Sequence, residues 1–187
     1  MALKDSFTTF DGTGSTAYGV RWRFQTFTTT SAYAVSGIAL NCWKYGSPGN
    51  ITVSIRAVDG DGKPTGGDLA TVTVVDSVIS TLPTLAYYTF TFVSSYNLSN
   101  ATKYAIVWRA PGGDAGNYFQ AFGYDSSGYA DGGFGTSSDS GSSWSSPSAT
   151  RDMNFRTYTT TFNPPVDIIS YKRLVAAASN TIWYEDI

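Results

Sequence analysis

The side chains that could do chemistry are few and one-sided in kind. The 187 residues contain no histidine, which removes Ser-His-Asp and Cys-His arrangements and the usual zinc sites. Cys42 is the sole cysteine; in a segment this apolar it reads as a buried, inert thiol with no disulfide partner. Of the 14 acidic residues only Glu185, near the far end, is a glutamate, so a carboxylate pair for glycoside hydrolysis would have to come from aspartates. Most of these sit in Gly/Ser turns, where Asp commonly caps its own backbone. Asp59-x-Asp61-Gly62 has the spacing that opens a calcium loop, because oxygens two residues apart can face one cation. The acid that would close such a loop is missing, so a hairpin turn is the plainer reading, and calcium on Asp59 and Asp61 is the one cofactor left open. These residues point to a protein that is not an enzyme.

What remains is recognition by contact. Aromatic faces stack on the apolar C–H faces of pyranoses while neighbouring polar groups take the hydroxyls. Trp144, Tyr118, Tyr124 and Tyr129, with Arg109, are the candidates for that role; Trp108, Phe119 and Phe122 are expected in the core. A formal net charge of −2, with twelve scattered Lys and Arg, supplies no basic stripe for a nucleic acid. No run of 18 apolar residues exists, so no membrane insertion by a helix is expected. Sequons at Asn50, Asn97 and Asn100 read as incidental in a chain so rich in Ser and Thr.

The elements that must position these groups are strands. Aromatics make up 16% of the chain and charged residues only 14%, against roughly a quarter charged in ordinary domains; Thr, Tyr, Phe, Trp and Val suit pleated surfaces, and Gly and Ser close turns. Residues 51–57 give the cleanest period of two, with Ile51, Val53, Ile55 and Ala57 inward and Thr52, Ser54 and Arg56 outward. Residues 20–27 alternate Trp22 and Phe24 with charged neighbours, as a half-buried strand does. Residues 103–109 are apolar on both faces, which marks a central strand. With residues 6–10, 33–43, 69–75, 87–93, 118–124 and 152–159, about nine strands are expected, at hairpin spacing, in a two-sheet sandwich. Residues 124–151 form a long Gly/Ser-rich stretch, either an ordered binding loop or a hairpin with an aromatic tip.

Asn163-Pro164-Pro165 interrupts strand pairing and divides the chain. The expectation is a sandwich over residues 1–162 and a C-terminal β-hairpin arm over residues 163–187. A lone hairpin is marginal in water. The arm should therefore dock through Ile169, Tyr171, Leu174, Ile182, Trp183 and Tyr184 on the sandwich, on a second copy or on another protein. Met1-Ala2-Leu3-Lys4-Asp5 leads straight into a strand, with neither the basic nor the apolar region of an export signal.

Residues 24–158 resemble a family of jelly-roll, carbohydrate-binding-module-like domains found in phage structural proteins and bacterial surface proteins. The matching pieces are Phe24-Gln25-Thr26-Phe27, Gly46-Ser47-Pro48-Gly49-Asn50 with the strand after it, Asp61-Gly62-Lys63-Pro64, Tyr88-Thr89-Phe90-Thr91-Phe92, Thr102-Lys103-Tyr104-Ala105-Ile106-Val107, Ser142-Ser143-Trp144 and Asn154-Phe155-Arg156-Thr157-Tyr158. The tail from Tyr171-Lys172-Arg173 to Ile182-Trp183-Tyr184 is similar to the ends of phage tail and fibre proteins. The resemblance implies an all-β, antiparallel, jelly-roll-like sandwich used for display and adhesion, and it carries no fixed set of binding residues. Two functions follow as expectations. One is a phage virion structural protein (a decoration, fibre or tail accessory subunit) at the virion surface, partnered by other virion proteins or by itself, with a possible surface glycan. The other is an extracellular carbohydrate-binding module of a secreted or cell-surface protein.

Overall fold

The computed structural model describes residues 1–160 other than Leu82 and Ser127. Twelve strands are formed: β1 (Ala2–Phe7), β2 (Thr13–Ala17), β3 (Trp22–Thr28), β4 (Tyr33–Tyr45), β5 (Ile51–Val58), β6 (Pro64–Val74), β7 (Ala86–Leu98), β8 (Lys103–Arg109), β9 (Tyr118–Tyr124), β10 (Phe134–Ser137), β11 (Asp152–Met153) and β12 (Phe155–Thr159). They make two antiparallel sheets packed as a sandwich. One has five strands in the order β10-β3-β8-β5-β6. The other has seven, β1-β12-β4-β9-β11, with β2 added to β9 and β7 to β4.

After β1 and β2 the chain passes between the sheets at nearly every connection, and β5–β6 is the one sequential pair that is hydrogen-bonded among the described residues. The hairpin spacing thus reflects strands that alternate between layers rather than neighbours that pair, and the crossing pattern is consistent with a jelly-roll-like arrangement. Three of the extra strands have local causes. β2 and β10 are Gly/Ser/Thr segments whose pairing comes from β9 and β3 rather than from their own pattern. Residues 152–159 are split at Asn154, where the strand leaves β9 for β4: its N–H donates to the Phe122 carbonyl (2.8 Å) and its Nδ2 to the Thr9 carbonyl (2.8 Å).

The core lies between the sheets. Ile51, Val53, Ile55, Tyr104 and Ile106 face it as expected, joined by Ile38, Leu40, Phe90, Phe119 and Phe155 from the seven-stranded sheet. Each such side chain contributes about 1.5–3 kcal/mol relative to exposure. β8 is the middle of its sheet, which explains why both of its faces are apolar. One orientation departs from the alternation argument. Trp22 and Phe24 point away from the core, while Arg23 and Gln25 are buried. Arg23 is satisfied by donating to Ser15 Oγ (2.9 Å) and the Trp22 carbonyl (2.8 Å), and desolvation pushes its guanidinium down to about 10. Gln25 bonds across the sandwich, donating to Asp152 Oδ1 (2.9 Å) and accepting from the Met153 N–H (2.7 Å). The expected arm, residues 163–187, lies outside the described residues, and with it Ile169, Tyr171, Leu174, Ile182, Trp183 and Tyr184.

Candidate functional site

A sandwich offers two outer faces, and here they differ in kind. On the five-stranded sheet, β3 and β8 turn Trp22, Phe24, Ala105 and Val107 outward, and residues 138–150 fold over them. Trp144 from this loop meets Phe24 edge-on (5.3 Å between centroids) and tilts against Trp22 (6.4 Å). Gly141, at φ 81°, lies so close that a Cβ would stand 2.8 Å from the Trp22 ring, so only glycine permits this closure. Asp139 holds the loop tip by accepting from the Ser143 N–H (2.9 Å) and from Ser137 Oγ (2.7 Å). A further bond from the Ser143 hydroxyl, the foremost cause, acts with these two to hold its carboxyl down at about 2.

Beside Trp22 lies an ion cluster. Asp68 of β6 accepts from Arg109 Nη2 (2.6 Å), Arg56 Nε (2.7 Å) and Ser54 Oγ (2.9 Å). Burial alone would raise the Asp68 carboxyl, but the hydrogen bonds from Arg109 and Arg56, with the Arg109 charge, outweigh it and keep it below its ordinary value. Arg109 also sits over the Trp22 ring, 4.6 Å from its centroid. Trp144 and Arg109 are therefore brought to one patch, where both are engaged by the protein itself.

Asp59 and Asp61 lie at the β5–β6 turn. Asp59 Oδ1 accepts from the N–H groups of Asp61 (3.0 Å) and Lys63 (2.9 Å), and Asp61 pairs with Lys63 Nζ (3.4 Å). This is the hairpin geometry, and no third acid, His or Cys joins them among the described residues. With Lys103 and Pro147 they border an open cleft of about 490 Å³.

Among the described residues, the outer face of the seven-stranded sheet carries aromatic and polar side chains, with Trp43, Tyr87, Tyr118, Arg156 and Tyr158 half-buried and Tyr45 exposed. Along β4 every second residue faces it: Gly37, Ala39, Asn41, Trp43 and Tyr45 alternate with the core residues Ile38, Leu40 and Cys42. Neighbouring strands set partners in register. Tyr45 pairs with Tyr118, Trp43 with Gln120, Asn41 with Tyr87, and Ala39 with Arg156. The side chains meet accordingly. Tyr45 and Tyr118 stack at 5.4 Å and 18°. Trp43 lies edge-on to Phe122 (4.9 Å) and donates from Nε1 to Gln120 Oε1 (3.1 Å). Gly14 of β2 makes room for this pair, since a Cβ there would stand 2.1 Å from Gln120 Nε2 and 2.8 Å from Phe122. Arg156 crosses β4 above the small Ala39 to lay its guanidinium on Tyr87, 3.9 Å from the ring centroid. Burial raises the Tyr87 phenol and the Arg156 charge partly offsets it. From Tyr45 to Gly37 the stripe spans roughly 26 Å at the extended rise of a strand.

Tyr118 is thus the one tyrosine candidate on this stripe. Tyr124 and Tyr129 pack against the core instead. Tyr129 fits between Phe7 and Phe155, 5.5 Å from each, and burial pushes its phenol up. Trp43, Asn41, Tyr87, Arg156 and Tyr158 were not singled out from the sequence. The signal was the small-to-large alternation from Gly37 to Tyr45, legible once the opposite residues are known to be core. Rings interleaved with an amide and a guanidinium can stack on and hydrogen-bond a polyhydroxylated chain. No family model matches the chain, and no curated protein matches it.

Proposed function

We propose that this chain is a non-enzymatic structural protein of a phage virion, a decoration, fibre or tail accessory subunit that displays its sandwich and adheres to a surface glycan through the stripe on the seven-stranded sheet. The observation that carries the adhesive part is the alignment of Tyr45, Tyr118, Trp43, Tyr87 and Tyr158 with Asn41, Gln120 and Arg156 on one outward face. The virion setting rests on the family resemblance of residues 24–158 and of the tail. The acids described here serve structure: Asp68 holds two arginines, Asp152 holds Gln25, Asp5 accepts from Thr30 and Tyr33, and Asp59, Asp114 and Asp139 cap turns. That employment supports a contact role.

The test is a glycan array probed with the wild-type chain, Trp43→Ala and Trp144→Ala. Binding lost with Trp43→Ala and kept with Trp144→Ala supports the stripe. The reverse pattern moves the site to the loop-covered face, and no bound glycan removes the adhesive role. Immunogold labelling of purified particles decides the setting. Label confined to secreted material, with none on particles, would replace the virion reading with that of a secreted carbohydrate-binding module.

A further inference from the structure

We infer that the ligand of the stripe is an acidic saccharide whose carboxylate is taken by Arg156, at a seat formed with Tyr87 and Asn41; this rests on the adhesive reading above. Arg156 spends only the flat face of its guanidinium, on Tyr87. It forms no ion pair among the described residues, so its planar fork of N–H donors is left for an outside acceptor, and that fork matches a carboxylate bidentately. The outward positions of β4, β7, β9 and β12 hold no Asp or Glu, so among the described residues no acid on these strands competes for the charge.

Asn41 supplies the second observation. The residue is 9% exposed, and its side chain makes no hydrogen bond within the described protein, although a buried amide ordinarily has a partner. It is not sealed in: neither its polar atoms nor those of Arg156 are among the buried orphans. An amide on this stripe whose polar atoms are neither bonded nor sealed within the described protein presents a donor and an acceptor to a sugar hydroxyl or carboxylate. Trp43 stands two residues along the same strand, about 7 Å away, close to one sugar residue further on. An acidic sugar at Arg156 with its neighbour stacked on Trp43 uses all four groups. An acidic peptide could satisfy Arg156, but it would leave the row of ring faces without the C–H faces they suit.

The experiment uses the full chain against matched pairs of glycans, oligogalacturonate with its methyl ester and sialylated glycans with their desialylated forms, and polyglutamate as a peptide control. The acidic member of at least one pair should bind, and added salt should weaken that binding, as screening requires. Arg156→Gln should lower affinity about ten- to hundredfold, the worth of a charge-assisted hydrogen-bond pair, and Arg156→Lys should restore only part. Equal binding of the neutral member, salt-insensitive binding, or an unchanged Arg156→Gln affinity overturns the acidic ligand while the adhesive reading stands. Tighter binding of polyglutamate than of any glycan overturns the saccharide class. No binding of any glycan sinks both readings. The salt dependence is measured on the wild-type protein, so the test survives a variant that folds poorly.

Discussion

Replacing Asp68 by Asn separates structural charge from decoration on the five-stranded sheet. One carboxylate receives Arg109, Arg56 and Ser54, at 2.6, 2.7 and 2.9 Å, and the three charged side chains are 12–17% exposed. Removing one partner of a buried ion pair costs about 3–5 kcal/mol. Residual solvent and the carbonyl that Asn retains bring this down, so Asp68→Asn should cost about 2–4 kcal/mol near neutral pH. The carboxyl is held below its ordinary value of 3.8. A depressed folded value means that the stabilisation is complete above the unfolded value and is lost as pH falls through the folded one. The gap between wild type and variant should therefore be full near pH 7 and shrink as pH drops below 3.8. Urea unfolding of both proteins near pH 7 and near pH 2.5 measures it, because the difference cancels the other titrating groups. A gap under about 0.5 kcal/mol at neutral pH, or one that does not narrow in acid, would refute this account of the cluster.

Two further outcomes follow from the interior. Ile55 is fully buried between the sheets, so Ile55→Ala should cost about 2–5 kcal/mol in the same unfolding assay; a smaller loss would mean that β5 faces the other way. Cys42 is fully buried and burial raises its thiol, so a thiol reagent should label it only at the rate at which the protein opens. Rapid stoichiometric labelling of the native state would contradict the packing of β4.

Fold class was legible because period two and turn chemistry are local signals. Ile51, Val53 and Ile55 announce a half-buried strand wherever they are placed, and Tyr104, Ile106 and Trp108 with Ala105 and Val107 announce a strand covered twice. The orientation of β3 was not legible in the same way. Trp22 and Phe24 look like the core face, and Arg23 and Gln25 like the wet one, until Ser15 and Asp152 arrive from over a hundred residues away in one case and from the facing sheet in both. Connectivity was equally hidden. Hairpin spacing in the sequence does not tell whether a strand returns beside its predecessor or crosses to the other layer. The candidate residues suffered from the same gap: Trp144 and Arg109 are ligand-like in type, but Phe24, Trp22 and Asp68 engage them, and those neighbours are set by tertiary structure alone.

The two outer faces differ, among the described residues, in what covers them. Phe24, Val107 and Ala105 have no polar atoms to offer water, so their outward position leaves apolar area that some segment must cover. The loop at residues 138–150 does this with Trp144 as its anchor, Gly141 against Trp22 and Asp139 tying the tip. On the seven-stranded sheet the outward rings other than Phe122, which Trp43 and Phe10 flank, end in polar atoms, the hydroxyls of Tyr45, Tyr87, Tyr118 and Tyr158 and the indole N–H of Trp43 that Gln120 accepts. Tyr and Trp carry an apolar body with a wet tip, and a row of them can stay in water without a lid. Amphipathic rings held rigidly on strands, with a guanidinium and an amide between them, lose little freedom when a chain of hydroxylated rings lies along them. On that reasoning the loop, which the sequence marks most plainly as a binding element, seals the sheet it covers, and the proposed recognition surface lies on strands.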